Sequence, residues 1–234
     1  MLNKMMRTIG VSALVTGALL GSGAVYAATV TATASITDVT AMGLTLSNNS
    51  FLSDASTPFQ SGFDTGSVLQ NYNFSTTSPS GTSLAMIDNS YTPLPQTTAA
   101  AITNGSGAAT VLWTFDWVAD VTGTAMLDVE YLYAATVANL GLGESATASS
   151  YVSALLDGTA IGDEAFFYFN NEEGDTSGFN TLGLSFGVST GQTGTFTLAV
   201  ASNAVALAAV PVPAAIWLLG SALAGLTGFA RRKV

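Results

Sequence analysis

The sequence predicts a mainly β chain: a single antiparallel β-sandwich of jelly-roll-like winding, flanked by an N-terminal signal helix and a C-terminal transmembrane helix. Three observations carry this. Apolar residues recur with period two far more than with helical spacing. Turn-forming pairs break these runs at short intervals. The 5 basic residues lie only at the two ends, whereas all 15 acidic residues fall between them.

Residues 1–27 have the parts of a secretory signal peptide. Lys4 and Arg7 supply the positive start, an uncharged apolar run follows from Ile9 to Leu20, and Gly21, Ser22 and Gly23 break it. Val25, Tyr26 and Ala27 then offer small residues at the subsites that signal peptidase reads, which predicts a cut between Ala27 and Ala28. An uncleaved membrane helix is the alternative.

The acidic body, 28–209, opens with Val30, Ala32, Ala34 and Ile36 alternating against Thr29, Thr31, Thr33 and Ser35. Side chains alternate across a strand, so each such set feeds one face of a core. The same pattern marks Val111, Trp113, Phe115 and Trp117, and then Ala125, Leu127, Val129, Tyr131 and Tyr133. Further runs cover 164–170, Leu182 to Val188 in steps of two, Phe196, Leu198 and Val200, and a last small apolar strand from Ala201. Asn48-Asn49, Thr57-Pro58, Ser78-Pro79, Asn104-Gly105, Asp157-Gly158 and Gly191 read as turns between strands. Residues 47–96 read as loop with brief strand candidates at 68–74 and 84–87. The segment 141–156 is less settled: Glu144, Ala146 and Ala148 could open a short helix, though Ser149, Ser150, Tyr151 and Val152 read better as a strand.

Past the body, Val210, Pro211, Val212 and Pro213 lead into Ala214, Ala215 and an uncharged run to Ala230, closed by Arg231, Arg232 and Lys233. The helix 214–230 spans about 25 Å at about 1.5 Å per residue. That is slightly short of a bilayer core, and snorkelling arginines with the preceding valines make up the difference. The basic tail 231–233 favours a cytoplasmic C-terminus, which leaves the body on the far side of the membrane.

This terminal stretch resembles a PEP-CTERM sorting signal, most closely the variant reading VPxPAA, here Val210, Pro211, Val212, Pro213, Ala214 and Ala215. The resemblance covers only the final 25 or so residues. It implies recognition by an exosortase, in a Gram-negative bacterium that makes exopolysaccharide, and a final place at the cell surface or in the biofilm matrix. Val212 stands where the Pro-Glu-Pro form has glutamate, so the motif does not fix the bond that is cut. An unprocessed C-terminal membrane anchor is the alternative.

Composition narrows the function classes further. A body without Lys or Arg cannot neutralise phosphates, so nucleic acid is excluded as a partner. The absence of Cys excludes disulfides, and stability must come from burial. With no His or Cys, the Ser-His and Cys-His nucleophiles and the usual zinc sites are absent. A carboxylate pair is the remaining acid/base device; Asp128 and Glu130 share a strand face, and Asp116 is a candidate to lie across from them. Solvated outward acids are the commoner reading, so no catalytic residue is assigned and the chain is expected not to be an enzyme.

Two binding readings stay open. Asn170, Glu172, Glu173 and Asp175, around Gly174, form the densest oxygen-ligand cluster and suit calcium, against the plain alternative of a solvated hairpin. No other cofactor is expected. Trp113, Trp117, Tyr131, Tyr133 and the run Phe166 to Phe169 suit a glycan platform, though their alternation fits core packing better. The expectation is therefore an exported protein, held transiently in the inner membrane, served by signal peptidase and exosortase, with a structural or adhesive role beside exopolysaccharide. A carbohydrate- or calcium-binding module is the alternative.

Overall fold

In the computed structural model the described residues are 28–66, 69–78, 81–88, 94–141, 143–157 and 159–208, with the backbone alone for 159–170. The signal segment and the sorting segment, including Ala27, Val210 to Ala215 and Arg231 to Lys233, lie outside them.

Twelve strands make up this body: β1 (Thr29–Met42), β2 (Leu44–Ser56), β3 (Ser61–Gly66), β4 (Tyr72–Ser78), β5 (Gly81–Asp88), β6 (Gln96–Ile102), β7 (Gly105–Ala119), β8 (Gly123–Ala138), β9 (Ser145–Leu156), β10 (Thr159–Asn170), β11 (Gly174–Val188) and β12 (Thr193–Leu207). They form two six-stranded sheets, ordered β11-β8-β1-β6-β5-β4 and β10-β9-β12-β7-β2-β3. Every pairing is antiparallel. Only β2–β3, β4–β5, β5–β6 and β9–β10 are hairpins within one sheet; the other connections cross between sheets. The crossing from β1 to β2 takes a single residue, Gly43, whose φ of 75° lies in the left-handed region that glycine enters without a Cβ penalty.

Most of the inward positions read from alternation are buried, with Tyr133 and Phe186 partly buried against the core. Trp117, Tyr131, Phe115, Phe196, Leu127 and Leu198 are among the largest fully buried side chains. The rings pack across strands and across the stack: Phe115 lies parallel to Phe196 with centroids 5.5 Å apart, and Trp117 of the second sheet meets Phe186 of the first edge-on at 5.6 Å.

The other half of the core is built from small residues. Ala32, Ala99, Ala135, Ala148, Ala204 and Ala206 form a separate buried cluster with Val30 and Val137. Stacked sheets usually stand about 10 Å apart, and small inward side chains let them come closer. Two observations show that they do. The Ser150 hydroxyl, on β9, reaches the main-chain oxygens of Thr33 (2.8 Å) and Ala134 (2.9 Å) in the opposite sheet. At the corner where β6 passes to β7, Gly105 and Gly107 lie against the Thr82 and Leu84 carbonyls of β5, where a Cβ would collide.

Three sequence expectations are corrected, and one left open is resolved. Asn48-Asn49 is no turn: β2 runs through it, and the register slips between Ser47 and Ser50 as a bulge with Asn48 at φ 53°. Residues 47–96 are mostly strand, comprising the rest of β2 and all of β3, β4 and β5. The segment 145–156 is the strand β9. The turn placed at Asn104-Gly105 is formed by Thr103 and Asn104, at φ 39° and 32°, while Gly105 already opens β7.

Candidate functional site

Both ends of the body leave from one pole. Thr29, the first residue of β1, pairs with Ile102 and with Ala138; Leu207, the last of β12, pairs with Ser145, and Ala206 with Gly105. The short links from Ile102 to Gly105 and from Ala138 to Ser145 therefore sit beside both ends of the body. The turn after β10 joins them, because the Asn171 backbone N–H donates to the Ala146 oxygen and the Ala146 N–H to Asn171 Oδ1.

Side chains at this pole latch the two ends. The Ala28 N–H donates to Glu144 Oε2 at 3.2 Å, and the Gly141 N–H donates to the same oxygen at 2.8 Å. Ala28 itself is buried. At the other end the Ala208 N–H donates to Asn104 Oδ1 at 2.9 Å. Glu144→Ala leaves two backbone donors without their acceptor, and a loss of about 1–3 kcal/mol in denaturant unfolding is expected. Sequence reasoning missed Glu144 and Asn104 as latches. Asn104 carried a turn signal only, and nothing in the local pattern ties Glu144 to a residue 116 positions away.

The calcium candidates lie at the same pole but are separately engaged. Glu173 Oε1 accepts the Leu140 N–H at 2.7 Å, and Asp175 Oδ1 accepts the Thr136 hydroxyl at 3.1 Å. Glu172 is exposed in the turn, and the side chain of Asn170 lies outside the described set. Among the described residues, no three His, Cys, Asp or Glu side chains stand close enough to hold a metal ion.

The carboxylates considered for acid/base chemistry are not brought together. Asp128 and Glu130 are on β8 of the first sheet, with Asp38 opposite Glu130. Asp116 is on β7 of the second sheet, where Asn48 Nδ2 donates to it at 2.9 Å. Its neighbours Phe115 and Trp117 point into the core, as do Leu127 and Val129 beside Asp128, so the acids occupy opposite outer faces of the stack.

Of the candidate platform rings, Trp113, Trp117 and Tyr131 are buried and Tyr133 packs against the core, while the side chains of 166–169 lie outside the described set. The exposed rings are elsewhere. Among the described residues Phe59 is 68% exposed and Phe63 67%, on and after the β2–β3 turn, and Phe179 on β11 is 52% exposed, whereas Tyr72 and Phe74, stacked at 5.6 Å on β4, pack against the core. The signal for these was weak, since they sit singly among Ser, Gly and Asn.

No protein-family model, no curated protein and no solved structure matches this chain.

Proposed function

We propose that this is an exported structural or adhesive protein of a Gram-negative cell surface or biofilm matrix, processed at both ends. Signal peptidase cuts between Ala27 and Ala28. The helix 214–230 then holds the chain in the inner membrane, with the basic tail 231–233 on the cytoplasmic side. An exosortase acting at Val210, Pro211, Val212, Pro213, Ala214 and Ala215 delivers the body beyond the membrane, beside exopolysaccharide.

One observation supports this reading above the rest. The first strand starts at Thr29 and the last ends at Leu207, so both proposed cuts fall just outside the strands. Either cut leaves every pairing of the body in place. The two ends also share a pole, which suits a body held by one tether with its opposite end pointing outward. A jelly-roll-like sandwich is the fold reading we put on the two stacked sheets, supported by the repeated crossings between them from β6 to β9 and from β10 to β12. Deletion of 210–234 tests the sorting step: the body should lose its surface location and its C-terminal processing, and an unchanged location would defeat the proposal.

The exposed rings of Phe59 and Phe63 favour a second reading, a carbohydrate-binding module, because flat rings in solvent can stack on sugar faces. Glycan arrays on the exported protein, with Phe59→Ala and Phe63→Ala as controls, separate it from a purely structural role. Calcium at Asn170, Glu172, Glu173 and Asp175 belongs with this second reading. It predicts a higher Tm in millimolar calcium, and an unchanged Tm dismisses it.

A further inference from the structure

All 15 acidic residues lie within 28–209 and all 5 Lys and Arg residues outside it, with no His anywhere, so no side chain of the body can neutralise a carboxylate. One backbone atom can. Ala28 is buried, and its nitrogen stands 3.2 Å from Glu144 Oε2. Glu144 is held in place by its own turn: its backbone N–H donates to the Gly141 oxygen at 3.1 Å, and its carboxylate folds back to accept the Gly141 N–H at 2.8 Å. The same link is fixed from the other side. Glu173 Oε1 accepts the Leu140 N–H, and Leu140 packs against the small-residue cluster that contains Ala28.

We infer that Glu144 is the built-in counter-ion for the α-ammonium that signal cleavage creates on Ala28, so that maturation closes the body with an ion pair the precursor lacks. Hydrolysis of the 27–28 peptide bond places the oxygen of water on Ala27, which leaves as a carboxylate. Both hydrogens of that water go to the Ala28 nitrogen, which becomes an ammonium with three donors where the amide had one. A charge on a buried residue is costly unless it is paired, and here the opposite charge already lies within reach. The bond gains direct attraction between two full charges. Glu144 fits one start of the chain. A mature protein beginning at Thr29 would lack the nitrogen that the carboxylate meets, and one beginning at Ala27 would still offer it an amide. The pairing rests on the proposed cut between Ala27 and Ala28, and it gives that cut a structural role, fastening the start of β1 to the link between β8 and β9. The other carboxylates of this pole, Glu172, Glu173 and Asp175, have the same sign as Glu144 and also favour the ammonium.

Amine acetylation of the exported protein tests this, because the chain from Ala28 onward has its α-amine and, while the tail is kept, Lys233 as its sole lysine. Amines react only when unprotonated, so the rate at Ala28 against pH, read by mass spectrometry of the terminal peptide, follows its titration. A neighbouring opposite charge favours the charged form. The Ala28 amine should therefore titrate at higher pH in the folded protein than in the same protein unfolded in urea. Glu144→Gln keeps the shape and removes the charge, and it should raise the rate at neutral pH by about tenfold. Asp120→Asn removes an equal charge at the opposite pole, where Asp120 accepts the Thr45 hydroxyl, and should change the rate by less than about twofold, since solvent and salt screen so distant a charge. An amine that titrates alike in the folded and unfolded protein, or one indifferent to Glu144→Gln, overturns the inference and leaves the cut standing. A terminal peptide that begins at a residue other than Ala28 overturns the cut and the inference together.

Discussion

Gly107→Ala is expected to destabilise the body by about 3 kcal/mol or more, the upper end of what overpacking costs. A Cβ on Gly107 collides with the Leu84 carbonyl oxygen of β5. The obstacle is backbone, held in the ladder that Leu84 shares with Ala100 and Ser75. A side chain could rotate away, but here two sheets must separate. Separation would also pull Ser106 N–H from Ser83 Oγ, a 3.0 Å bond across the same gap. Gly187→Ala is the matched control, since its added Cβ meets nothing nearer than 4.0 Å. Its effect should stay within about 0.5 kcal/mol, as for surface changes that touch no special feature. Chemical denaturation of both variants beside the parent reads the difference, and equal midpoints would refute the close approach of the sheets.

Trp117→Ala should cost about 3–5 kcal/mol, the range for removing a large buried aromatic. The ring is 1% exposed, packs over Gly194 of the neighbouring strand and meets Phe186 of the opposite sheet. Its removal therefore opens a void between sheets at the wide half of the core, which the ladders on either side prevent from collapsing. Trp117→Phe should be much milder. It keeps most of the packing and removes an indole N–H that is buried without a hydrogen-bond partner, a group that is costly to leave unpaired. Thermal unfolding of the two variants should rank them parent, Phe, Ala; an Ala variant as stable as the Phe variant would contradict the packing described.

The residues that made the fold legible are those with one wet face and one dry one. β1, β7, β8 and β12 lie in the middle of their sheets, so their inward side chains had to be apolar and the alternation was plain. The strands between Ser47 and Gln96 were hidden for the opposite reason. β3 and β4 are edges with Ser, Thr, Asn and Gly on both faces, and β2 carries Asn48-Asn49, a pair that suits a turn as well as the bulge it forms. β9 was ambiguous because alanine serves a helix as readily as it lines the narrow half of this core. The pole that gathers both ends was not legible, because Glu144 and Asn104 act on residues more than a hundred positions away. Their roles follow from topology, which spacing along the chain does not encode.

The intact mass of the protein recovered from surface fractions tests the whole account most directly. The prediction is a chain that begins at Ala28 and has lost the arginine-rich tail, with its surface location abolished when 210–234 are removed. Recovery of the unprocessed 23.7 kDa polypeptide, with Met1 and Val234 both present, would contradict it.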